Sequence, residues 1–307
     1  MRVLFVVTGN KGRLSYVFEN QLRTLAPHLS EYKIHLIQGK GVIGYLRNVK
    51  PLNITIRNFK PDLIHAHYSL CGFIAALSFF RPIVVSLMGS DCRNKLSIYL
   101  IRFFNNVRWS YTIVKSNEMA NILSLRKRTC VIPNGVDFDR FPFIDKDVAC
   151  KEVGFDQSKK NIIFVSNPNR AEKNFAIAEK AILLLEGEDF VLHAIYEIPH
   201  SMINIYMRAA DAMILTSFHE GSPNVVKEAM ACGLPIVSTD VGDVKQNTKG
   251  LDNCFIVGMN IHEIAAGLRN AVNSSISKEG RLNLIKLGLT AGNARDAILR
   301  IYGTLKK

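Results

Sequence analysis

Short apolar runs alternate along the chain with longer segments in which apolar residues recur every three or four positions. Short runs rich in Val and Ile are typical of buried strands in parallel sheets, whereas the longer period predicts amphipathic helices. The alternation therefore predicts an α/β protein with parallel sheets. The runs predicted to be strands are residues 2–8, 33–38, 63–66, 82–87, 111–114, 130–133, 161–166, 191–196, 212–215, 236–238 and a run around Phe255.

One stretch, residues 217–243, reads SFHEGSPNVVKEAMACGLPIVSTDVGD and lies between two of these strands. Ser222 and Pro223 have the chemistry of a helix N-cap and a first helical residue, so a helix should begin there. The loop before it then lies at the carboxyl end of the sheet, where open α/β sheets bind ligands. This arrangement makes Glu220 in the loop and Glu228 on the helix candidate ligand-binding carboxylates.

The length of 307 residues fits two domains of about 150 residues, each large enough to bury its own core. No apolar run reaches the length that a bilayer span requires, and the first residues do not resemble a secretory signal. The six cysteines show neither a CxxC pair nor zinc-ligand spacing, which favours reduced thiols. We therefore expect a cytoplasmic protein.

Positive charge is concentrated in the first half of the chain. Residues 1–140 hold 20 Lys and Arg against 7 Asp and Glu, whereas residues 141–307 hold 19 of each. A basic domain suits an anionic membrane, a phosphorylated substrate or nucleic acid. Because nucleic-acid-binding motifs are absent from the sequence, we expect no nucleic acid partner.

The stretch 217–243 resembles the signature of glycosyltransferase family 4, which comprises retaining nucleotide-sugar transferases of the GT-B fold. The resemblance is carried by Ser217, by the seven-residue interval between Glu220 and Glu228, and by the Glu-Ala-Met-Ala and Gly-Leu-Pro-Ile-Val segments that follow. In addition, Pro-Asn-Gly-Val-Asp at 133–137 is similar to the linker between the family's two domains.

The resemblance implies a GT-B architecture, with two Rossmann-like α/β/α domains whose parallel sheets face a central cleft. Residues 1–137 would form the basic, acceptor-side domain, and residues 138–290 the nucleotide-sugar-binding domain. Residues 291–307 would form a helix that packs back on the N-terminal domain. The family pattern also favours a helix at 43–59, although Ile54 and Ile56 alternate there as in a strand.

The same resemblance assigns roles to individual residues. Arg170 and Lys173 would stabilise the leaving diphosphate, since fixed positive charge favours a transition state in which negative charge grows. Glu228 would accept hydrogen bonds from the ribose hydroxyls, and Glu220 would hold the donor sugar. The expected catalytic residues are Arg170, Lys173 and Glu220, and the expected donor-binding residues are Asn10, Lys11, Gly12, Gly221, Ser222, Pro223, Asn224, Val225 and Glu228.

Three features leave alternatives open. The Gly-containing loop at 9–12 could offer backbone N–H groups to an anion or serve only as a tight turn. His65 and His67 could contribute to a metal site or simply form a polar strand end. Met88 stands where the family usually has a His near the donor sugar, so the sugar contact at this position is in doubt.

We interpret the chain as a retaining glycosyltransferase that moves a sugar from a nucleotide diphosphate sugar, UDP-linked in preference to GDP-linked. The acceptor would be a glycan or a polyprenyl-diphosphate-linked glycan in surface polysaccharide biosynthesis, and no metal cofactor is expected. The alternatives are a nucleotide-sugar 2-epimerase of GT-B fold and a catalytically silent nucleotide-sugar-binding protein. The basic, aromatic segment 96–109 could lie on an anionic membrane at the inner face of the plasma membrane, or form an ordinary amphipathic helix under the sheet.

Overall fold

The computed structural model describes residues 1–9, 14–39, 41–92, 94–125 and 128–306. The chain divides into two compact units. The first consists of Met1–Asn134 together with Ala291–Lys307, and the second of Gly135–Thr290. Each unit has its own parallel sheet with helices packed on it, so the predicted α/β class is confirmed.

Within its described residues, the first unit contains a six-stranded parallel sheet of order β2-β1-β3-β4-β5-β6. Successive side chains of its first strand enter different cores, because strand side chains alternate between faces. Leu4 and Val6 pack into one core, and Val3, Phe5 and Val7 into the other. The strands are β1 (Arg2–Thr8), β2 (Glu31–Ile37), β3 (Leu63–His67), β4 (Ile83–Ser86), β5 (Tyr111–Val114) and β6 (Thr129–Val131).

Helices connect these strands: α1 (Tyr16–Leu25), α2 (Gly41–Leu46), α3 (Val49–Phe59), α4 (Ser69–Leu77), α5 (Lys95–Val107) and α6 (Asn117–Leu123). The ambiguous segment 43–59 is therefore helical except at residues 47–48, where a turn separates α2 from α3. Leu52 and Phe59, seven residues apart, are buried on one helix face, whereas Ile54 is 59% exposed. The alternation of Ile54 and Ile56 thus does not reflect a strand.

The second unit contains, among the described residues, a five-stranded parallel sheet of order β11-β10-β9-β7-β8. Its strands are β7 (Lys160–Phe164), β8 (Phe190–Ala194), β9 (Ala212–Leu215), β10 (Ile236–Thr239) and β11 (Cys254–Val257). Its helices are α7 (Lys146–Val153), α8 (Phe175–Leu183), α9 (Ile203–Ala209), α10 (Asn224–Cys232), α11 (Val244–Asn247), α12 (Ile261–Val272) and α13 (Glu279–Lys286).

The helix α14 (Ala291–Leu305) belongs to the first unit. Its buried residues Ile298, Ile301 and Tyr302 join the same core as Val3 and Phe5 of β1. The chain therefore leaves the first unit after residue 134 and completes its core with a helix that begins 157 positions later.

The two histidines at the end of β3 are buried. His65 Nδ1 lies 2.5 Å from the Tyr302 hydroxyl, and His65 Nε2 lies 2.8 Å from Ser86 Oγ. Burial, reinforced by the charge of Lys115, lowers the pKa of His65 to about 3. Because both ring nitrogens of His65 have protein partners, the structure favours the polar strand end over a metal site. No group of three or more His, Cys, Asp or Glu in the described residues could hold a metal ion.

Met88 and Asp91 follow β4. The Asp91 carboxylate accepts hydrogen bonds from the backbone N–H of Ser69, at 2.9 Å, and from that of Met88. Asp91 therefore connects the start of α4 to the loop after β4.

Across the described ranges of the chain, no helix combines the length and the apolar character needed to cross a bilayer.

Candidate functional site

Three loops meet at the carboxyl end of the second sheet, because β9 lies between β7 and β10. The loop after β9, residues 216–223, is bonded to both of its neighbours. Thr216 Oγ1 donates to the backbone oxygens of Lys173 and Asn174, at 3.2 and 3.0 Å, and Thr239 Oγ1 donates to the Ser217 oxygen at 3.0 Å. The loop that carries Glu220 is thus fixed from two sides at the edge where α/β sheets bind ligands.

Lys173 and Glu220 form an ion pair in this loop cluster, with Lys173 Nζ bonded to Glu220 Oε1. Ser217 Oγ donates to the same carboxylate oxygen at 2.8 Å. The side chains of Lys173 and Glu220 are only 14% and 15% exposed. In such a partly desolvated position each charge depends on the other, so the pair places a fixed cation beside a positioned carboxylate.

Arg170 lies in the same loop as Lys173, but its side chain is bonded to Glu172 and not to the ion pair. Its guanidinium pairs with Glu172 Oε1 at 2.7 Å, and its side chain is 51% exposed. Its backbone oxygen accepts from the Lys173 N–H at 2.9 Å, which closes the turn Ala171–Lys173 that carries Lys173. The structure therefore brings Lys173 and Glu220 together and leaves the Arg170 side chain largely in solvent.

Helix α10 begins at Asn224, with Pro223 as its N-cap residue. The expected N-cap at Ser222 is therefore wrong, and so is the expected first helical position at Pro223. The physical reason is that the Ser222 hydroxyl accepts a hydrogen bond from Lys227 Nζ at 3.0 Å instead of capping the helix. Pro223 makes no side-chain cap, so the N-cap residue does not occupy the first N–H groups of α10, which are of the kind that bind anions.

Glu228 is on the buried side of α10, with its side chain 4% exposed. Its Oε1 lies 3.1 Å from Nε2 of His200, a residue in the turn His200–Met202 that follows β8. The His200 ring also makes an edge contact with Phe141, with centroids 6.2 Å apart. The sequence motif gave no indication of His200, because the contact spans 28 positions and depends on the path of the intervening chain.

Lys227, next to Glu228, is fully buried. Burial lowers its pKa to about 8, and the nearby charges of Asp243 and Glu228 act in the opposite direction. A buried ammonium is unusual, and here it donates a hydrogen bond to the Ser222 hydroxyl. Lys227 thus supports the loop between Glu220 and α10, a role that a Lys on an amphipathic helix does not reveal in the sequence.

We expect the stability of the wild-type protein, relative to a Lys227→Met variant, to rise with pH. The folded pKa of about 8 lies below the ordinary 10.5, so the unfolded chain holds this proton more tightly than the folded one. The gain should develop between pH 8 and pH 10.5 and reach on the order of 3 kcal/mol. Urea unfolding of both proteins across this range measures it; parallel pH profiles for the two would refute the assignment.

Gly242, in the loop after β10, packs directly against the Glu220 loop. A Cβ atom at this position would lie 2.6 Å from the Gly221 backbone oxygen, and its φ is +58°. Only glycine allows this close approach, since a side chain would meet both backbone strain and a backbone clash.

A Gly242→Ala substitution should therefore lower the free energy of unfolding by more than the cost of placing an alanine at a positive φ. Gly154→Ala is the matched control, because Gly154 has φ +74° and no atom within 4 Å of its would-be Cβ. We expect the Gly242 variant to be about 1–3 kcal/mol less stable than the control, the typical cost of overpacking. Thermal or urea unfolding measures the difference, and equal losses in both variants would contradict it.

The other expected site residues fall into two groups. Asn10, Lys11 and Gly12 lie outside the described residues. Gly221 adjoins Gly242, and Asn224 and Val225 form the first turn of α10. The Asn224 side-chain oxygen is buried with no hydrogen-bond partner among the described atoms.

Two protein-family models match the chain, one in each half. A model described as "Glycosyltransferase Family 4" matches residues 8–140, and one described as "Glycosyl transferases group 1" matches residues 190–274. The chain is also 29% identical over 220 residues to a Bacillus subtilis protein named for teichuronic acid biosynthesis, the glycosyltransferase TuaC. This match covers 61% of the chain and 55% of TuaC. The chain spans about half the length of the curated relatives it matches.

Two solved structures are similar over nearly the whole chain. Sucrose-phosphate synthase from Thermosynechococcus elongatus has a TM-score of 0.80 at 14% identity, with 99% of each chain covered. Anabaena HepE, solved in complex with UDP-glucose, has a TM-score of 0.81 at 16% identity, with 99% and 100% covered. At these identities the likeness concerns the fold. It shows the GT-B fold, and the two matching models, whose residues together make up more than half of the chain, both describe glycosyltransferases.

Proposed function

We propose that this protein is a retaining glycosyltransferase that transfers a sugar from a UDP-sugar to a glycan or polyprenyl-diphosphate-linked acceptor in surface polysaccharide biosynthesis. One observation carries the proposal: Glu220, in the loop before α10, forms an ion pair with Lys173 from the loop after β7, and α10 itself holds Glu228 buried. The matches of residues 8–140 and 190–274 to glycosyltransferase models support the assignment of this cluster to a nucleotide sugar.

In this proposal Glu228 binds the nucleotide. A carboxylate held with little solvent contact can accept two hydrogen bonds from the vicinal hydroxyls of a ribose, and charged acceptors make the stronger hydrogen bonds. His200 fixes one carboxylate oxygen, so the ribose would meet an oriented acceptor. The N–H groups at the start of α10 would bind the sugar together with Glu220.

The chemistry then depends on charge. As the bond between the sugar and the diphosphate breaks, negative charge grows on the leaving group, and Lys173 provides a fixed cation whose stabilising effect is largest in the transition state. Glu220 is bonded to Lys173 and Ser217, which suits a positioning role better than that of a general base. Retention would follow from attack on the face from which the diphosphate departs.

The finer parts of the proposal have separate support. Anabaena HepE, of similar fold, was solved with UDP and with UDP-glucose, which supports a uridine nucleotide. The name of TuaC supports surface polysaccharide synthesis. The proposal places the protein in the cytoplasm, at the inner membrane face when the acceptor is lipid-linked, and includes no metal cofactor.

The test has two steps. A thermal-shift comparison of UDP, GDP and ADP should show the largest rise in Tm with UDP, because a ligand that binds the native state stabilises it. Transfer is then assayed with a panel of UDP-sugars and polyprenyl-diphosphate glycans, with and without EDTA, and NMR of the product should show a retained anomeric configuration.

The outcomes are distinct. Interconversion of the donor without an acceptor would show a 2-epimerase and contradict the proposal. Nucleotide binding without turnover over the whole panel would show a binding protein. Loss of transfer in EDTA that Mg²⁺ restores would contradict the metal-free mechanism.

A further inference from the structure

Helix α5 exposes a stripe of large apolar side chains. Leu96, Tyr99, Phe103 and Val107 are 68%, 67%, 50% and 42% exposed. Their spacing of three, four and four residues places them within an arc of about 80° at 3.6 residues per turn. Scattered single apolar residues are normal on a protein surface, but a continuous stripe along a helix marks an interaction surface.

The face of α5 opposite the stripe is well packed. Ile101 and Asn105 on the opposite face are buried, and Asn105 Oδ1 accepts a hydrogen bond from Thr112 Oγ1 at 2.7 Å. The Phe104 ring stacks on Trp109 with centroids 6.2 Å apart. One face of α5 is therefore packed in the core, as in an ordinary amphipathic helix, and the other face is apolar and exposed.

Positive charge surrounds the stripe. The helical period places Lys95 and Arg102, both exposed, along one side of it. After the C-terminal end of α5, the Arg108 guanidinium lies 4.8 Å over the ring of Phe79, a further large apolar side chain that is 78% exposed. The sequence 68–128 contains nine Lys and Arg against two Asp and Glu, and one residue of each sign, Lys115 and Asp91, is buried.

We propose that this surface, formed by Leu96, Tyr99, Phe103, Val107 and Phe79 with its flanking cations, docks on an anionic lipid bilayer. Aromatic and apolar side chains flanked by Lys and Arg suit the boundary between headgroups and acyl chains. A second copy of the chain is disfavoured as the occupant, because two such basic faces repel each other.

This surface would bring the protein to the membrane in which a lipid-linked acceptor resides. Membrane docking does not depend on whether the protein transfers a sugar, so the two are tested separately. The test is flotation of the full chain with vesicles of phosphatidylcholine containing about 30% phosphatidylglycerol. Wild type should float with these vesicles, should not float with phosphatidylcholine alone, and should be released by high salt.

A Leu96→Gln/Phe103→Gln variant should partition to the vesicles about tenfold more weakly, since it loses two apolar side chains from the contact. The matched control is Leu183→Gln/Leu282→Gln in the second unit, where both residues lie on helices and are 67% and 64% exposed. The control should float as wild type does, and all three proteins should have the same Tm. Lys95→Glu should weaken flotation without affecting the Tm.

Equal flotation of the stripe variant and wild type would overturn the proposal, as would a wild type that does not bind anionic vesicles. Concentration-dependent dimerisation of wild type that the stripe variant abolishes, with no flotation of either, would assign the surface to a second copy. UDP binding is measured on the same samples, so failure of docking and failure of the proposed function are distinguished.

Discussion

A Glu228→Gln variant is expected to lose at least about a hundredfold in affinity for UDP, with a corresponding loss of transfer. The substitution keeps the shape and removes the charge that would accept the ribose hydroxyls, and hydrogen bonds to a charged group contribute about 1.5–3 kcal/mol each. It also removes the carboxylate that faces His200 and the buried Lys227. Isothermal titration with UDP, together with initial rates of transfer, measures both effects.

The control for this variant is Glu179→Gln, which neutralises an exposed carboxylate on α8 of the same unit. It should bind UDP as wild type does. Thermal unfolding of both variants checks that the fold is retained. A folded Glu228→Gln protein that binds UDP and transfers sugar at the wild-type level would refute the assignment of Glu228 to nucleotide binding.

A Lys173→Met variant should lose about 10²- to 10³-fold in kcat, the range seen when one preorganised electrostatic contact to a transition state is removed. The loss of UDP affinity should be smaller, because the charge of the leaving diphosphate is greatest in the transition state. Arg170→Met is the comparison. Since its side chain is half exposed and paired with Glu172, its removal should cost less than about tenfold.

The ion pair allows a second measurement. Lys173→Met leaves Glu220 partly buried without its cation, which should also lower the free energy of unfolding. The double variant Lys173→Met/Glu220→Gln should recover most of that stability and none of the activity. If stability and activity recovered together, the loss in Lys173→Met would come from the unpaired Glu220 carboxylate, and the direct charge role of Lys173 would be wrong.

The strands were predictable because buried runs of Val and Ile have few alternatives. The strands β1 and β4, for example, contain the runs Val-Leu-Phe-Val-Val and Ile-Val-Val. The loop that carries Glu220 also followed from its position after β9. The start of α10 did not, because Ser222 is held by Lys227, and N-cap preferences do not include such a contact.

The side-chain partners of Glu220 and Glu228 could not be predicted from the sequence. His200 reaches Glu228 only through the path of the chain after β8, and no short motif marks it. Lys173 was identified as a cation for a diphosphate, but its pairing with Glu220 joins residues 47 positions apart. Side-chain contacts between loops depend on packing, which a local pattern does not encode.

The return of α14 to the first unit has a consequence for synthesis on the ribosome. The second unit, Gly135–Thr290, is continuous and can fold as soon as it has emerged. Residues 1–134 emerge earlier, but the core around Phe5 lacks Ile298, Ile301 and Tyr302 until α14 has been made. The part of the protein translated first is therefore expected to be the last to reach its final packing, and its apolar strands are exposed to chaperones for longer.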